Sequence, residues 1–228
     1  MCITDLVADD VATVTCLSFQ PGMSLRQRQI LRVSLRLFGE REYAAVSLRD
    51  IAAEAAVSLT LIDHHFGAKH ALFASVLRSW APMFEQAALE MRHALAQGRL
   101  TSATELIALM LRPIDKLLAE PDGANVLSLC ARHRHETDPA IGGPMGLALG
   151  PYRLAIGRAL ERLHPARGPD EIDWGVAFAL AALFEFAAGT TLVGLRLHRD
   201  STMASERRTA RQLLARHIEG GWRAGLDG

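Results

Sequence analysis

The sequence predicts an all-α fold in two parts, a small N-terminal three-helix domain and a larger C-terminal helical domain. Three observations carry this prediction. Apolar residues recur at spacings of three and four through almost the whole chain after residue 20, while alternating β-branched runs are weak. Half of the 228 residues are hydrophobic, enough to fill a substantial core. Serines suited to N-caps and prolines suited to breaks punctuate the periodic segments at helix-length intervals.

Taken in order, helices are expected over residues 24–41, 47–55, 58–65, 68–97, 102–119, 123–136, 144–164, 170–197 and 203–222. Ser47, Ser58 and Ser102 are placed as N-caps, and Ser102 with Glu105 matches a capping box. Pro121, Pro139 and Pro165 with Gly168 mark connections, whereas Pro113 and Pro151 sit inside apolar patterns and should kink or restart a helix. Residues 1–23 carry Asp5, Asp9 and Asp10 and read as a poorly ordered extension before a domain at 24–75 and a second at 76–228. They lack the basic-then-apolar order of an export signal. Cys2, Cys16 and Cys130 have no paired spacing and read as free thiols, which suits a cytoplasmic protein.

Net charge is zero, but its distribution is uneven. Residues 24–80 hold eight cations (Arg26, Arg28, Arg32, Arg36, Arg41, Arg49, Lys69, Arg78) against five acids (Glu40, Glu42, Asp50, Glu54, Asp63), 8 − 5 = +3. In this segment an opening helix presents Ile30, Leu31, Ser34, Leu37 and Phe38 inward, followed by SLRDIAAEA and VSLTLIDHHF. The spacing from Ala55 to Ser58 leaves the tight turn of a helix-turn-helix. On the third helix Val57, Leu61, Ile62, His65 and Phe66 fall on one side, and Leu59, Thr60, Asp63 and His64 on the other.

A short helix with one face free fits the major groove of double-stranded DNA. Thr60 offers a methyl or hydroxyl to a base, Leu59 an apolar contact and His64 a donor, while Ser58 offers a hydroxyl beside them. Ser47, Arg49 and Lys69 stand at helix starts, where phosphates are held. On periodicity alone, the same face also reads as an ordinary solvated helix surface.

The stretch from Arg28 to Phe73 resembles the DNA-binding domain of the TetR family, above all in the run IAAEAAVSLTLIDHHFGAKHALF. Ile51, Ala52, Val57, Ser58, Ile62, His65, Phe66, Lys69 and Leu72 stand in register with the family pattern, as do Ile30, Leu31, Leu37, Phe38, Tyr43, Ser47 and Asp50 upstream. The resemblance implies a homodimer that binds a palindromic operator, most often as a repressor, and is released by a small-molecule ligand. It also implies that the last two long helices of each subunit form a four-helix dimer interface, and that the sixth and eighth helices line the ligand pocket. There Cys130, His133, Phe178 and Glu185 are the candidate lining. Four positions depart from the pattern: Glu42 and Ala56 stand where glycine is frequent, Ala68 where a serine cap is frequent, and Asp63 where a tyrosine commonly touches the DNA backbone.

Other chemistry is weaker. His64 and His65 point about 100° apart on a helix and have no second ligand cluster, so no metal is expected. No phosphate loop, nucleophile elbow or paired carboxylates appear, so neither a cofactor nor an enzyme is expected. A constitutive DNA-binding protein without ligand is the main alternative. Trp174–Leu195 is long enough to span a bilayer, yet Glu185 near its middle favours a buried protein helix over a membrane segment. That carboxylate needs a partner such as Arg132 or Arg196, or else awaits a ligand. Pro113 is read either as an irregular pocket wall or as an ordinary kink. The final helix carries Ala210, Leu213, Leu214, His217, Ile218, Gly221 and Trp222 as an apolar stripe.

Overall fold

The computed structural model describes residues 19, 21–134, 136–188 and 204–226, and among them there is no strand. The elements are α1 (Leu25–Glu40), a 3-10 turn (Tyr43–Ala45), α2 (Leu48–Glu54), α3 (Leu59–Phe66), α4 (Lys69–Ala96), α5 (Ala103–Leu118), α6 (Gly123–His133), α7 (Pro139–Leu163), α8 (Pro169–Ala188) and α9 (Ala204–Leu226). The starts of α1, α2 and α5 are closed by capping boxes, Ser24 with Gln27, Ser47 with Asp50 and Ser102 with Glu105.

The structure departs from expectation at several points. Helix α7 begins at Pro139 and not at 144, because the Asp138 carboxylate accepts from the Ala140 N–H at 2.9 Å and proline at N1 forfeits no helical bond. Helix α6 stops at His133, short of 136. Of Pro113 and Pro151, expected to kink or restart helices, neither restarts one: each lies within one continuous helix, as do Pro82 and Pro144. Packing against neighbours outweighs the local loss of a backbone donor. Residues 1–18 and 189–197 of the expected extension and eighth helix lie outside the described residues. The described end of the extension is tied down, since Phe19 and Met23 pack on the core and Arg28 and Arg32 each stand 5.4 Å from the Phe19 ring centroid.

Helix α4 lies against α7 along much of its length, and the boundary expected between 75 and 76 falls inside it. The rings of Trp80, Phe84, Tyr152 and Phe184 interlock at this seam, with neighbouring centroids 5.2–6.0 Å apart. The buried Tyr152 hydroxyl donates to the Met110 carbonyl at 2.7 Å and ties α7 to α5. Of the expected apolar stripe on α9, Leu214, Ile218 and Trp222 are buried, and the Trp222 indole donates to the Gly175 carbonyl of α8 at 3.0 Å. No helix among the described residues is long and apolar enough to cross a membrane. Of the two arginines expected to partner Glu185, Arg132 does not. Glu185 accepts from Arg134 at 3.1 Å, while Arg132 turns to α1 and Arg196 lies outside the described residues.

Helix α6 presses on the last turn of α1. A Cβ added at Gly39 would stand 2.9 Å from the Asn125 carbonyl oxygen, so the two backbones meet here without room for a side chain. Arg132 donates to the Gly39 carbonyl at 3.2 Å and to Glu42 at 2.8 Å, and Asp122 pairs with Arg32 at 3.2 Å. Gly39→Ala should therefore overpack the junction and lower stability by about 1–3 kcal/mol in urea unfolding. An unchanged midpoint would show that α6 moves aside freely.

Candidate nucleic-acid interface

The reading head is built outward from an aromatic knot. Phe38, Tyr43 and Phe73 bring α1, the 3-10 turn and α4 together with ring centroids 5.0–5.6 Å apart. Ile30, Leu31, Ser34, Leu37 and Phe38 are buried as expected, and Ile51 and Ala52 join them from α2.

Helix α2 starts at a tightly closed cap. The Ser47 N–H and hydroxyl both donate to Asp50 Oδ2, at 2.8 and 2.6 Å, and Ser47 Oγ accepts from the Asp50 N–H at 3.1 Å. The Ser47 hydroxyl bond, followed by the backbone one, holds the Asp50 carboxyl below its ordinary pKa. The turn that follows puts Ala56 at φ 51°, the one non-glycine residue with positive φ among those described. Glu42 does not carry the same strain. Its φ of −58° is ordinary because α1 ends through an extended Arg41 and not through a left-handed cap.

Helix α3 begins at Ser58, whose Oγ accepts from the Leu61 N–H at 3.2 Å. Ile62 is its fully buried anchor, with Val57, Leu61 and Phe66 packed beside it. Leu59, Thr60, Asp63 and His64 are exposed, as the periodicity implied. His65 was expected inward but is exposed, its Nδ1 3.4 Å from Gln27 Nε2, because eight residues supply too little helix for a wide buried face.

Ser47, Leu48 and Arg49 of the α2 start and Leu59, Thr60 and Asp63 of α3 line one open cleft of about 470 Å³. Ser58 and His64 flank it on α3. Arg49 is exposed and forms no ion pair among the described residues, which leaves its guanidinium free for an outside anion. Lys69 is engaged differently from the expected phosphate contact. Its ammonium donates to the Tyr43 and Val46 carbonyls at 2.8 and 2.9 Å and stands 4.1 Å from the Tyr43 ring centroid, so two of its three donors close the 3-10 turn. Burial lowers its pKa.

The four residues expected to line a ligand pocket do not converge. Cys130 is fully enclosed in the core, where burial pushes its thiol pKa up. His133 is also fully buried and faces α1. Phe178 is 66 % exposed and stacks on Trp174 on the outside of α8, while Glu185 is held by Arg134. Helix periodicity placed them on shared helices but not on a shared side. A ligand-sized groove of about 600 Å³ lies instead between α4 and α5, lined by Leu89, Glu90, His93, Arg99, Leu109 and Arg112 among others. Nothing in the sequence separated these residues from solvated helix faces. Among the described residues no group of three or more His, Cys, Asp or Glu side chains is placed to hold a metal ion.

A recognition-length helix carried on a capped partner helix, with a free cationic and polar face, defines a helix-turn-helix DNA-binding regulator. Residues 30–76 match the family model described as bacterial regulatory proteins, tetR family, and residues 108–221 match the tetracyclin repressor-like C-terminal domain. The chain belongs to the TetR family, whose members are DNA-binding regulators and not enzymes. Among solved structures it is similar to a TetR-family transcription regulator from Shewanella sp. PV-4, with 15% identity and a TM-score of 0.58 over 87% of this chain and 98% of that one. It is also similar to a transcriptional regulator from Saccharomonospora viridis in complex with choline, with 20% identity and a TM-score of 0.53 over 89% and 97%. A third similar structure is Mycobacterium smegmatis AmtR, with 20% identity and a TM-score of 0.51 over 87% and 89%. At these identities the likeness is one of fold. No curated protein matches significantly in sequence.

Both ends of the turn around α3 leave stability unclaimed. Ala56→Gly relieves a left-handed alanine, and Ala68→Ser supplies the missing N-cap of α4, whose Ala68 makes no side-chain cap bond. Each should stabilise the protein by about 0.5–1 kcal/mol, read as a rise in thermal midpoint. A fall on Ala56→Gly would mean that the turn relaxes away from φ 51° in solution.

Proposed function

We propose that the protein is a dimeric, ligand-released repressor that reads a palindromic operator with α3. The observation that carries this reading is the shared cleft of Ser47, Arg49, Leu59 and Thr60, flanked by Ser58 and His64. Backbone contacts come from Ser47, Ser58, Arg49 and the remaining donor of Lys69, and base contacts from Leu59, Thr60 and His64. Two such heads reach successive major grooves when about 34 Å apart, which requires a dimer. Trp174, Phe178 and Leu213, 62, 66 and 58 % exposed on α8 and α9, supply the apolar surface that a second copy would cover.

The proposed effector is a small molecule, and the α4–α5 groove is where it would act. Helix α4 runs without a break from Lys69 beside the head to Leu89 and His93 in the groove. A molecule that binds better to one placement of α4 shifts the spacing of the heads by population shift. In thermal-shift measurements effector and operator should each stabilise the protein and antagonise one another. Additive stabilisation would favour a constitutive DNA-binding protein, and turnover of the effector would favour an enzyme.

Arg49→Ala should weaken every duplex alike and reduce the slope of log affinity against log salt by about 1. Thr60 and His64 substitutions should change preference among half-site bases instead, and equal losses on all sequences would show that α3 does not read bases. Lys69→Ala should combine weaker binding with lower stability, since it also takes the ammonium donor from the Val46 carbonyl and leaves the Tyr43 carbonyl only the Val46 N–H.

A further inference from the structure

His133 ends α6 with its imidazole fully buried against the last turn of α1. Its Nε2 lies 2.9 Å from the Phe38 carbonyl oxygen, so Nε2 carries the proton and donates it. The ring meets Phe73 of α4 edge-on, with centroids 5.6 Å apart at 80°. Nδ1 is buried and has no hydrogen-bond partner among the described residues. One imidazole thus joins the end of α1, the start of α4 and the end of α6, which is where the DNA-reading head meets the C-terminal domain.

We propose that His133 is a positioning residue for DNA binding: as a neutral imidazole it latches the head to α6, and on protonation the latch opens, making DNA binding acid-labile. The inference rests on the DNA-binding reading of α3. A second proton would have to go on Nδ1, creating a buried, charged donor with no described acceptor. The groups facing the ring divide in sign. Glu42 after α1 and Glu136 after α6 favour the cation, Arg132 of α6 opposes it, and α4 presents the Phe73 ring. Burial is the largest influence and lowers the His133 pKa. The sign follows from linkage. A histidine whose folded pKa is depressed supports the docked state fully above its unfolded value of about 6.5, and that support is lost as pH falls from there toward the folded value.

The test uses the full chain and a duplex that the wild type selects from a random-sequence pool at about pH 8, with affinity measured down to about pH 5.5 at constant ionic strength. Wild-type affinity should fall about tenfold over this range. His133→Gln offers an amide N–H to the Phe38 carbonyl and does not titrate. It should keep wild-type affinity at the upper pH and lose the acid decline. His133→Phe keeps the packing on Phe73 but strips the carbonyl of its donor, and should bind more weakly at every pH with an equally flat profile. An acid decline that persists in His133→Gln overturns the latch, as does a wild type whose affinity holds or rises in acid. Failure of the wild type to select any duplex is a separate outcome that overturns the DNA-binding reading itself, and the latch with it.

Discussion

The last carbonyls of a helix have no partner within it, and at the C-terminal end of α1 they are buried. Those of Phe38 and Gly39 are satisfied by His133 and Arg132, side chains more than ninety positions away in sequence. A buried carbonyl left without a donor costs about 1–3 kcal/mol, so the end of α1 and the end of α6 are held together by an obligation and not only by apolar contact. The next carbonyls along, those of Tyr43 and Val46, are claimed by Lys69 from the start of α4. The position of α2 and α3 depends on both clamps, since the chain between α1 and α2 has no other regular structure to fix it than the one 3-10 turn.

This arrangement explains what was legible in the sequence and what was not. The helix-turn-helix was legible because its signals are local: Ser47 and Asp50 are three residues apart, Ser58 caps Leu61, and Ile62 is the apolar position a short helix needs. The strain at Ala56 was also local and was found where a glycine was missed, whereas Glu42 escaped it because α1 ends through an extended residue. Lys69 and His133 were visible as candidates but assigned to outside partners, phosphate and ligand. Their inside partners are backbone carbonyls, which every residue carries and no sequence pattern marks. For the same reason Glu185 was expected to need an arginine, yet which arginine depended on the side α6 turns to α8.

Charge follows a similar logic. The excess of three positive charges in residues 24–80 implied a cationic surface, but several members are committed within the protein. Arg36 lies 2.6 Å from Glu54 and 3.3 Å from Glu40, Arg32 pairs with Asp122, and Lys69 is turned inward. The charge still contributes to the field that attracts DNA, since pairing does not remove long-range potential from a segment whose sum is positive. A group free to meet an outside anion must be uncommitted, and Arg49 is the cation set in the cleft beside α3.

Helix α3 is short, and Ile62 is its one fully buried residue. A strained alanine precedes it at Ala56, and an uncapped α4 start follows it at Ala68. An eight-residue helix is far below the length that is stable alone, so its order is borrowed from packing. Elements of this kind sit at the low end of local stability, where a modest interaction changes their population. Contacts from DNA phosphates to the cap residues Ser47 and Ser58 would fall on the N-terminal turns of α2 and α3, the places where an added partner orders most. The clamps at the end of α1 and on the 3-10 turn set where α2 and α3 stand, and an added partner at the caps would act on how firmly α3 is formed.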